Sequence, residues 1–259
     1  MTADWQLPPG VSRGLWDALH DPQAARDYDT RLADTPLLAV DIDFVRRHCP
    51  RPGRLVDLGC GTGRLSVALA TEGYECVAVD LSEEMLAIVC EKAVAAGVEI
   101  ARIQANLVEL HAIADASFDD AACLFQTLGL ISGADSRRRA VEHAFRLLRP
   151  GGVFVLHVHN RWFNAWTPHG RRLLARDLWN TLLRRQTAGD YRMPANQGLG
   201  PMPMHLFTRG EVERLLRGVG FEILEVRPIA VDGKSPNWLS RLRAYGYLVA
   251  ARRPEAASR

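Results

Sequence analysis

The stretch Arg54-Leu55-Val56-Asp57-Leu58-Gly59-Cys60-Gly61-Thr62-Gly63, followed by RLSVALATEG, narrows the possible folds more than any other part of the chain. The apolar run reads as a buried strand, and the apolar spacing after the glycines predicts a helix. Between them, glycines at a spacing of two allow a sharp turn where backbone and ligand approach closely. The alternation then repeats. ECVAVDL (75–81) predicts a second strand, and EEMLAIVCEKAVAAG predicts a helix opened by Ser82 and closed by Gly97. EIARIQANL (99–107), FDDAACLF (118–125) and GVFVLHVHN (152–160) read as strands three to five. A helix from about Ser136 to Leu148, stopped by Arg149-Pro150-Gly151-Gly152, precedes the last of them. Five strands in βα alternation predict a parallel sheet.

After residue 160 the alternation gives way to an insertion, 161–205, with Trp and Arg throughout and a Gly- and Pro-rich end, ANQGLGPMPM. It reads as a lid over a site. A helix is predicted over 208–221, with Thr208 as N-cap and Glu211 completing a capping box. FEILEVRPIAV and RAYGYLVAARR then predict two β-rich runs able to pair as a hairpin. Residues 21–49 read as helical, so the expected organisation is one domain over 1–259, with an N-terminal helical cover at 1–50. With 32 Lys plus Arg against 30 Asp plus Glu, the net charge of +2 creates no field that demands a polyanionic partner. Five cysteines without a C-x-x-C pair argue against a disulfide framework and a zinc knuckle, and fit a reducing cytosol. No apolar run approaches a membrane span, so a cytoplasmic protein without a membrane partner is expected.

The glycine turn differs from the nicotinamide fingerprint G-x-G-x-x-G, which cradles a pyrophosphate. Here Gly59, Gly61 and Gly63 are two apart, and Asp57 stands just ahead of them. A carboxylate there repels a pyrophosphate and suits a cationic ligand. Asp80, at the end of the second strand, can accept both hydroxyls of a ribose or cap the following helix. Ser82 already holds the capping position, which favours the ribose. Leu81 and Met85 would offer apolar contact to an adenine ring.

VDLGCGTG, VAVDLSEEML with Asp80, SFDDAACLFQTLG and RLLRPGGVFVLHV, in that order, resemble the class I S-adenosylmethionine-dependent methyltransferases. The resemblance spans about residues 25–253 and is specific for the cofactor rather than the acceptor. It implies a doubly wound, mostly parallel seven-stranded Rossmann-like sheet ending in an antiparallel hairpin. S-adenosyl-L-methionine would be the cofactor and S-adenosyl-L-homocysteine the product. Carried onto this sequence, Gly59, Cys60 and Gly61 would hold the methionine portion and Asp57 would support its ammonium. Asp80 would bind the ribose, with Leu81 and Met85 against the adenine. Asn106-Leu107 stand where relatives often carry Asp and a residue whose amide meets the adenine. Cys123 and Leu124 match the carbonyls that approach the amino group, and Tyr28 matches a tyrosine that closes over the cofactor.

Methyl transfer needs a nucleophile aligned behind a sulfonium methyl with water excluded, so positioning and desolvation do most of the work. A base is required only when the acceptor must lose a proton. His159, near the carboxyl end of the fifth strand, and His205, ahead of the 208–221 helix, are the candidate catalytic groups; each has a structural alternative. His157 reads as a core histidine. Gln126, Arg161 and Trp162 are candidate acceptor contacts. No residue cluster has metal-ligand spacing. The insertion carries seven arginines against Asp177 and Asp190, interleaved with Trp162, Trp166, Trp179 and Tyr191. That pattern suits a small acceptor under a lid or an RNA groove; a solvated helix with Leu173, Leu174, Leu178 and Leu182 packed inward is the plainer expectation. A small-molecule acceptor is the first reading and RNA the second; DNA is not expected, and the oligomeric state is open. A cofactor-binding module without turnover is a further alternative.

Overall fold

The computed structural model describes residues 3–32, 35–166, 168–183, 188–193, 202–233 and 243–255. Three helices come first, α1 (Arg13–Leu19), α2 (Pro22–Leu32) and α3 (Leu37–His48). The alternating unit follows as β1 (Arg54–Leu58), α4 (Arg64–Ala70), β2 (Glu75–Asp80), α5 (Glu83–Ala96), β3 (Ala101–Gln104) and β4 (Phe118–Cys123). It continues through α6 (Thr127–Leu130), α7 (Ala134–Leu147) and β5 (Leu148–His159). A 3-10 turn, Arg161–Trp166, leads to α8 (Pro168–Leu182), β6 (Asp190–Met193) and β7 (Met202–His205). The chain closes with α9 (Arg209–Val219), β8 (Glu222–Ile229) and β9 (Gly246–Arg252).

The main sheet has the order β3-β2-β1-β4-β5-β9-β8. Every pair from β3 through β5 is parallel, whereas β9 runs antiparallel to both β5 and β8. The strand order reverses between β1 and β4, and at such a switch point an open α/β sheet leaves a crevice beyond its strand ends. Alternate strand residues face opposite layers. Val56, Val79, Leu156 and Val249 pack with Val141 and Leu147 of α7 and Leu216 of α9. Leu55, Val155 and Leu248 pack with Phe44 of α3 and Leu69 of α4. With both faces covered, the central strands are buried almost throughout, whereas the edge strands β3 and β8 are largely exposed or half-buried.

The local signals act as chemistry requires. Ser82 Oγ accepts from Met85 N, and Gly97 closes α5 in the left-handed region. Thr208 and Glu211 form the capping box of α9. The structure departs most from the sequence reading at three places. The Arg149-Pro150-Gly151-Gly152 segment belongs to β5 because Gly151 N donates to Arg253 O, giving it a partner on the strand side. The third strand is confined to Ala101–Gln104. The end of the insertion contains an antiparallel ribbon of β6 and β7, which short Pro-containing segments did not announce. The intervening ANQGLGP lies outside the described residues.

Candidate active site

Two adjoining cavities open at the carboxyl ends of β1, β2 and β4, and both are lined by Tyr28, Gly59, Gly61 and Thr127. The first, of about 730 Å³ including its mouth, has Asp80, Leu81, Met85, Asn106 and Leu107 on one side. Gly10, Val11, Leu15 and Leu19 roof it from the N-terminal segment. The second, of about 460 Å³, is bounded by Asp41, Asp57, Cys60, Arg64, Leu124 and Phe125.

The glycine turn divides its labour. A Cβ on Gly59 would stand 2.2 Å from Thr127 Cγ2, and one on Gly63 would stand 2.8 Å from Val89 Cγ2, so packing against the protein itself forbids a side chain at both. At Gly61, with φ +53, the nearest neighbour of an added Cβ is the Tyr28 ring at 3.6 Å, and the open space there belongs to the cavities. The turn is anchored from three directions. Gly61 N donates to Asp80 Oδ2 at 2.8 Å. Thr62 Oγ1 donates to Asp29 Oδ1 at 2.5 Å, and Lys92 Nζ donates to Thr62 O at 3.0 Å. Because Asp29 follows Tyr28 on α2, the same contacts fix the tyrosine over the turn.

Asp80 is buried, and its second oxygen accepts from Ser82 N at 2.9 Å. Each oxygen takes one backbone amide, and the carboxyl forms part of the wall of the first cavity, where its remaining lone pairs can meet a donor. Burial raises its pKa, against the amides of Ser82 and Gly61. Asp57 is held at 2.7 Å by Ser66 Oγ, and burial, reinforced by the charge of Asp80, pushes its pKa up to about 6. A desolvated carboxyl so close to a second one makes the end of the cavity system at Asp57 suited to a cation. Burial likewise raises the Tyr28 phenol, opposed by Arg64. The Arg64 guanidinium lies 5.2 Å from the Tyr28 ring centroid and 5.7 Å from that of Phe125, a cation held between aromatic faces in the second cavity.

Asn106 faces the first cavity while its amide donates to Pro9 O at 2.9 Å and its Oδ1 accepts from Val108 N. Leu124 and Cys60 border the second cavity; the Cys123 side chain is buried in the sheet core and lines neither. Neither candidate catalytic histidine is among the residues lining the two cavities, although His159 stands behind Phe125 of the second. His205 is buried with both ring nitrogens used, Nδ1 2.6 Å from Asp190 and Nε2 2.7 Å from Glu211. That clamps the ribbon to α9 and leaves no nitrogen for an acceptor. The His159 ring packs against Tyr245 and Phe125, and burial, aided by His157, lowers its pKa well below the usual value. His157 pairs with Asp41 at 2.9 Å in the core, joining α3 to β5.

Gln126 is a strut: its amide donates to His205 O and its Oε1 accepts from His159 N, both at 2.6 Å. Arg161 Nε donates to buried Asp177 at 2.8 Å, and Trp162 stacks on the same guanidinium. Asp177 also accepts from Tyr191 Oη and Gly189 N, so the insertion is built on its own polar hub. No described residue of 161–205 lines either cavity. Sequence reasoning missed Arg64, Phe125 and Thr127, together with the roof from Gly10 to Leu19. Arg64 directly follows the glycine turn, a signal that was available; the roof forms through tertiary packing of an unremarkable N-terminal segment. Among the described residues no group of acids, histidines and cysteines is arranged to hold a metal ion.

A ubiquinone biosynthesis O-methyltransferase of Xylella fastidiosa is 31% identical over 158 residues, covering 59% of this chain and 57% of that protein. The chain spans about half the length of the curated relatives it matches. Among solved structures, an S-adenosylmethionine-dependent methyltransferase of Methanosarcina mazei superposes with a TM-score of 0.68 at 22% identity, covering 82% of this chain and 98% of that one. The 1,6-didemethyltoxoflavin-N1-methyltransferase of Burkholderia thailandensis, solved with its namesake molecule and S-adenosylhomocysteine, gives 0.63 at 18% identity, covering 96% and 93%. These likenesses show the shared fold. The methyltransferase domain family matches residues 25–226, which is most of the sequence, and the chain belongs to that family.

Proposed function

We propose that this protein transfers a methyl group from S-adenosylmethionine to an oxygen, nitrogen or carbon nucleophile of a small-molecule acceptor. The observation that carries this reading is the first cavity, where Asp80, Leu81, Met85, Asn106 and Leu107 meet the open face of Gly61. Bound there, the cofactor would supply an electrophilic methyl on a sulfonium. Asp80 would accept from the ribose hydroxyls, Leu81, Met85 and Leu107 would flank the adenine, and Asn106 would accept from its amine. The methionine portion would pass Gly59, Cys60 and Gly61 into the second cavity. There Asp57 and the end of β4 at Cys123-Leu124 would serve the ammonium and Arg64 the carboxylate.

The chain's contribution to transfer would be orientation and exclusion of water by Tyr28, Thr127 and the apolar roof. Neither His205, whose ring nitrogens are both engaged, nor His159, which lies outside both linings, is assigned the role of a base in this reading. A small acceptor is favoured by this roofed approach. Incubating the protein with cofactor carrying a labelled methyl and separate pools of small metabolites and RNA tests the reading. Label in a small product is expected. Label in RNA alone would transfer the assignment to nucleic acid, and tight cofactor binding with no label in either pool would leave a binding module.

A further inference from the structure

Helix α8 is turned against the usual rule. Its inward side carries buried Asp177 and half-buried Asn180 and Thr181 beside Leu173 and buried Leu174. Its outward side carries Leu178, Trp179 and Leu182, exposed by 48%, 61% and 75%, with Leu183 exposed just beyond the helix end. The expectation that Leu178 and Leu182 pack inward therefore fails, because Asp177 occupies the inner position to bind Arg161, Tyr191 and Gly189. Exposed Arg171, Arg172 and Arg176 share the outward side, make no ion pair with a described residue, and have no acid among them. The 3-10 turn before α8 adds exposed Trp162 and Trp166.

We propose that α8 and the preceding turn form a docking surface for an anionic phospholipid bilayer, with Trp179, Leu178 and Leu182 entering the interface and the three arginines meeting lipid phosphates. A helix lying in the interface gains from burying aliphatic and indole groups and from the charge of anionic headgroups. Arginine stems can lie along the apolar layer while their guanidiniums reach the phosphates. The aliphatic side chains decide against a nucleic-acid groove, where aromatic stacking is useful but exposed leucines gain little. The uniform positive charge decides against a second copy of the chain, since two such helices would oppose arginine with arginine. No described helix is long and apolar enough to cross a membrane, so the contact is peripheral.

The test is co-sedimentation of the full chain with phosphatidylglycerol-containing or pure phosphatidylcholine vesicles. The panel contains wild type, the pair Trp179→Ser with Leu182→Ser, and the pair Arg172→Gln with Arg176→Gln. All four side chains are exposed, so an unchanged melting temperature serves as the folding control. The expected result is binding to the anionic vesicles with a tryptophan blue shift. Each pair of substitutions should weaken it about tenfold or more, and raised salt should weaken it further. Equal or absent binding to both vesicle types overturns the proposal, as does unchanged affinity in both folded variant pairs. Binding of a single-stranded RNA oligonucleotide that depends on Trp179, without vesicle binding, overturns it in favour of nucleic acid. A Trp179-dependent dimer in light scattering, without vesicle binding, overturns it in favour of self-association.

Discussion

Asp57 and Asp80 are both buried and both carry raised pKa values, yet their places on the cavity walls suit them to different tasks. Asp80 is expected to be satisfied by neutral hydroxyls, so Asp80→Ala should weaken S-adenosylhomocysteine binding by about 1–3 kcal/mol in calorimetry. Unchanged affinity in a folded variant would reduce Asp80 to an anchor for Gly61 and Ser82. Asp57 is expected to meet a cation, and its pKa of about 6 makes that contact pH-dependent. A carboxyl whose folded value is raised is destabilising when ionised, so the unliganded protein should lose stability as pH rises from the free carboxyl value of about 3.9 to about 6, and no further above it. A bound ammonium favours the ionised form, and cofactor affinity should rise over the same interval. Titrations across that interval with wild type and Asp57→Asn check this; a pH step that survives the substitution contradicts the assignment. At this scale Asp57, Asp80 and the glycines were legible because each sits at a strand end or turn fixed by local pattern. The positions of His205 and Gln126 were not: Asp190, His159 and the His205 carbonyl are brought in by other elements, and the capping-box Glu211, though only six residues away, carries no local sign that it turns back to His205.

At the scale of elements, the ribbon of β6 and β7 is held to α9 by one histidine between two acids, with Arg137 of α7 facing the same group from a third side. Burial alone would lower the His205 pKa and Arg137 adds to that, but hydrogen bonds to Asp190 and Glu211 carry it above its usual value. A histidine raised on folding stabilises fully below the free imidazole pKa of about 6.5, and that contribution is lost as pH rises through the folded value. His205→Gln should therefore cost about 1–3 kcal/mol at low pH and less at high pH, measured by chemical denaturation at both. A cost independent of pH would show that packing, not charge, holds the ribbon. Amide exchange over the described part of 161–205 should likewise be faster than in β1 or β4, since the insertion rests on a few polar contacts rather than on the sheet core. Protection equal to the strands would make it fixed structure. The ribbon escaped sequence reading because four-residue strands of mixed polarity lack a period, whereas α5 and α9 announced themselves through Ser82, Gly97 and the Thr208–Glu211 box.

For the whole molecule, the order of the seven strands brings the carboxyl ends of β1, β2 and β4 to one edge and leaves there the crevice that the N-terminal helices roof. The alternation of strands and helices foretold that edge; the roof depended on how residues 10–28 fold back over it, which no local pattern encodes. The central claim is that this crevice binds S-adenosylmethionine and its product, and the most direct measurement is a melting curve with each of S-adenosylhomocysteine, S-adenosylmethionine and NAD. A ligand that binds only the native state at a hundredfold its dissociation constant adds about 2.7 kcal/mol. For a chain of this size that corresponds to a rise of about 5–10 °C. Both sulfur compounds should produce such a rise and NAD should produce none. A shift with NAD and with neither sulfur compound would contradict the account.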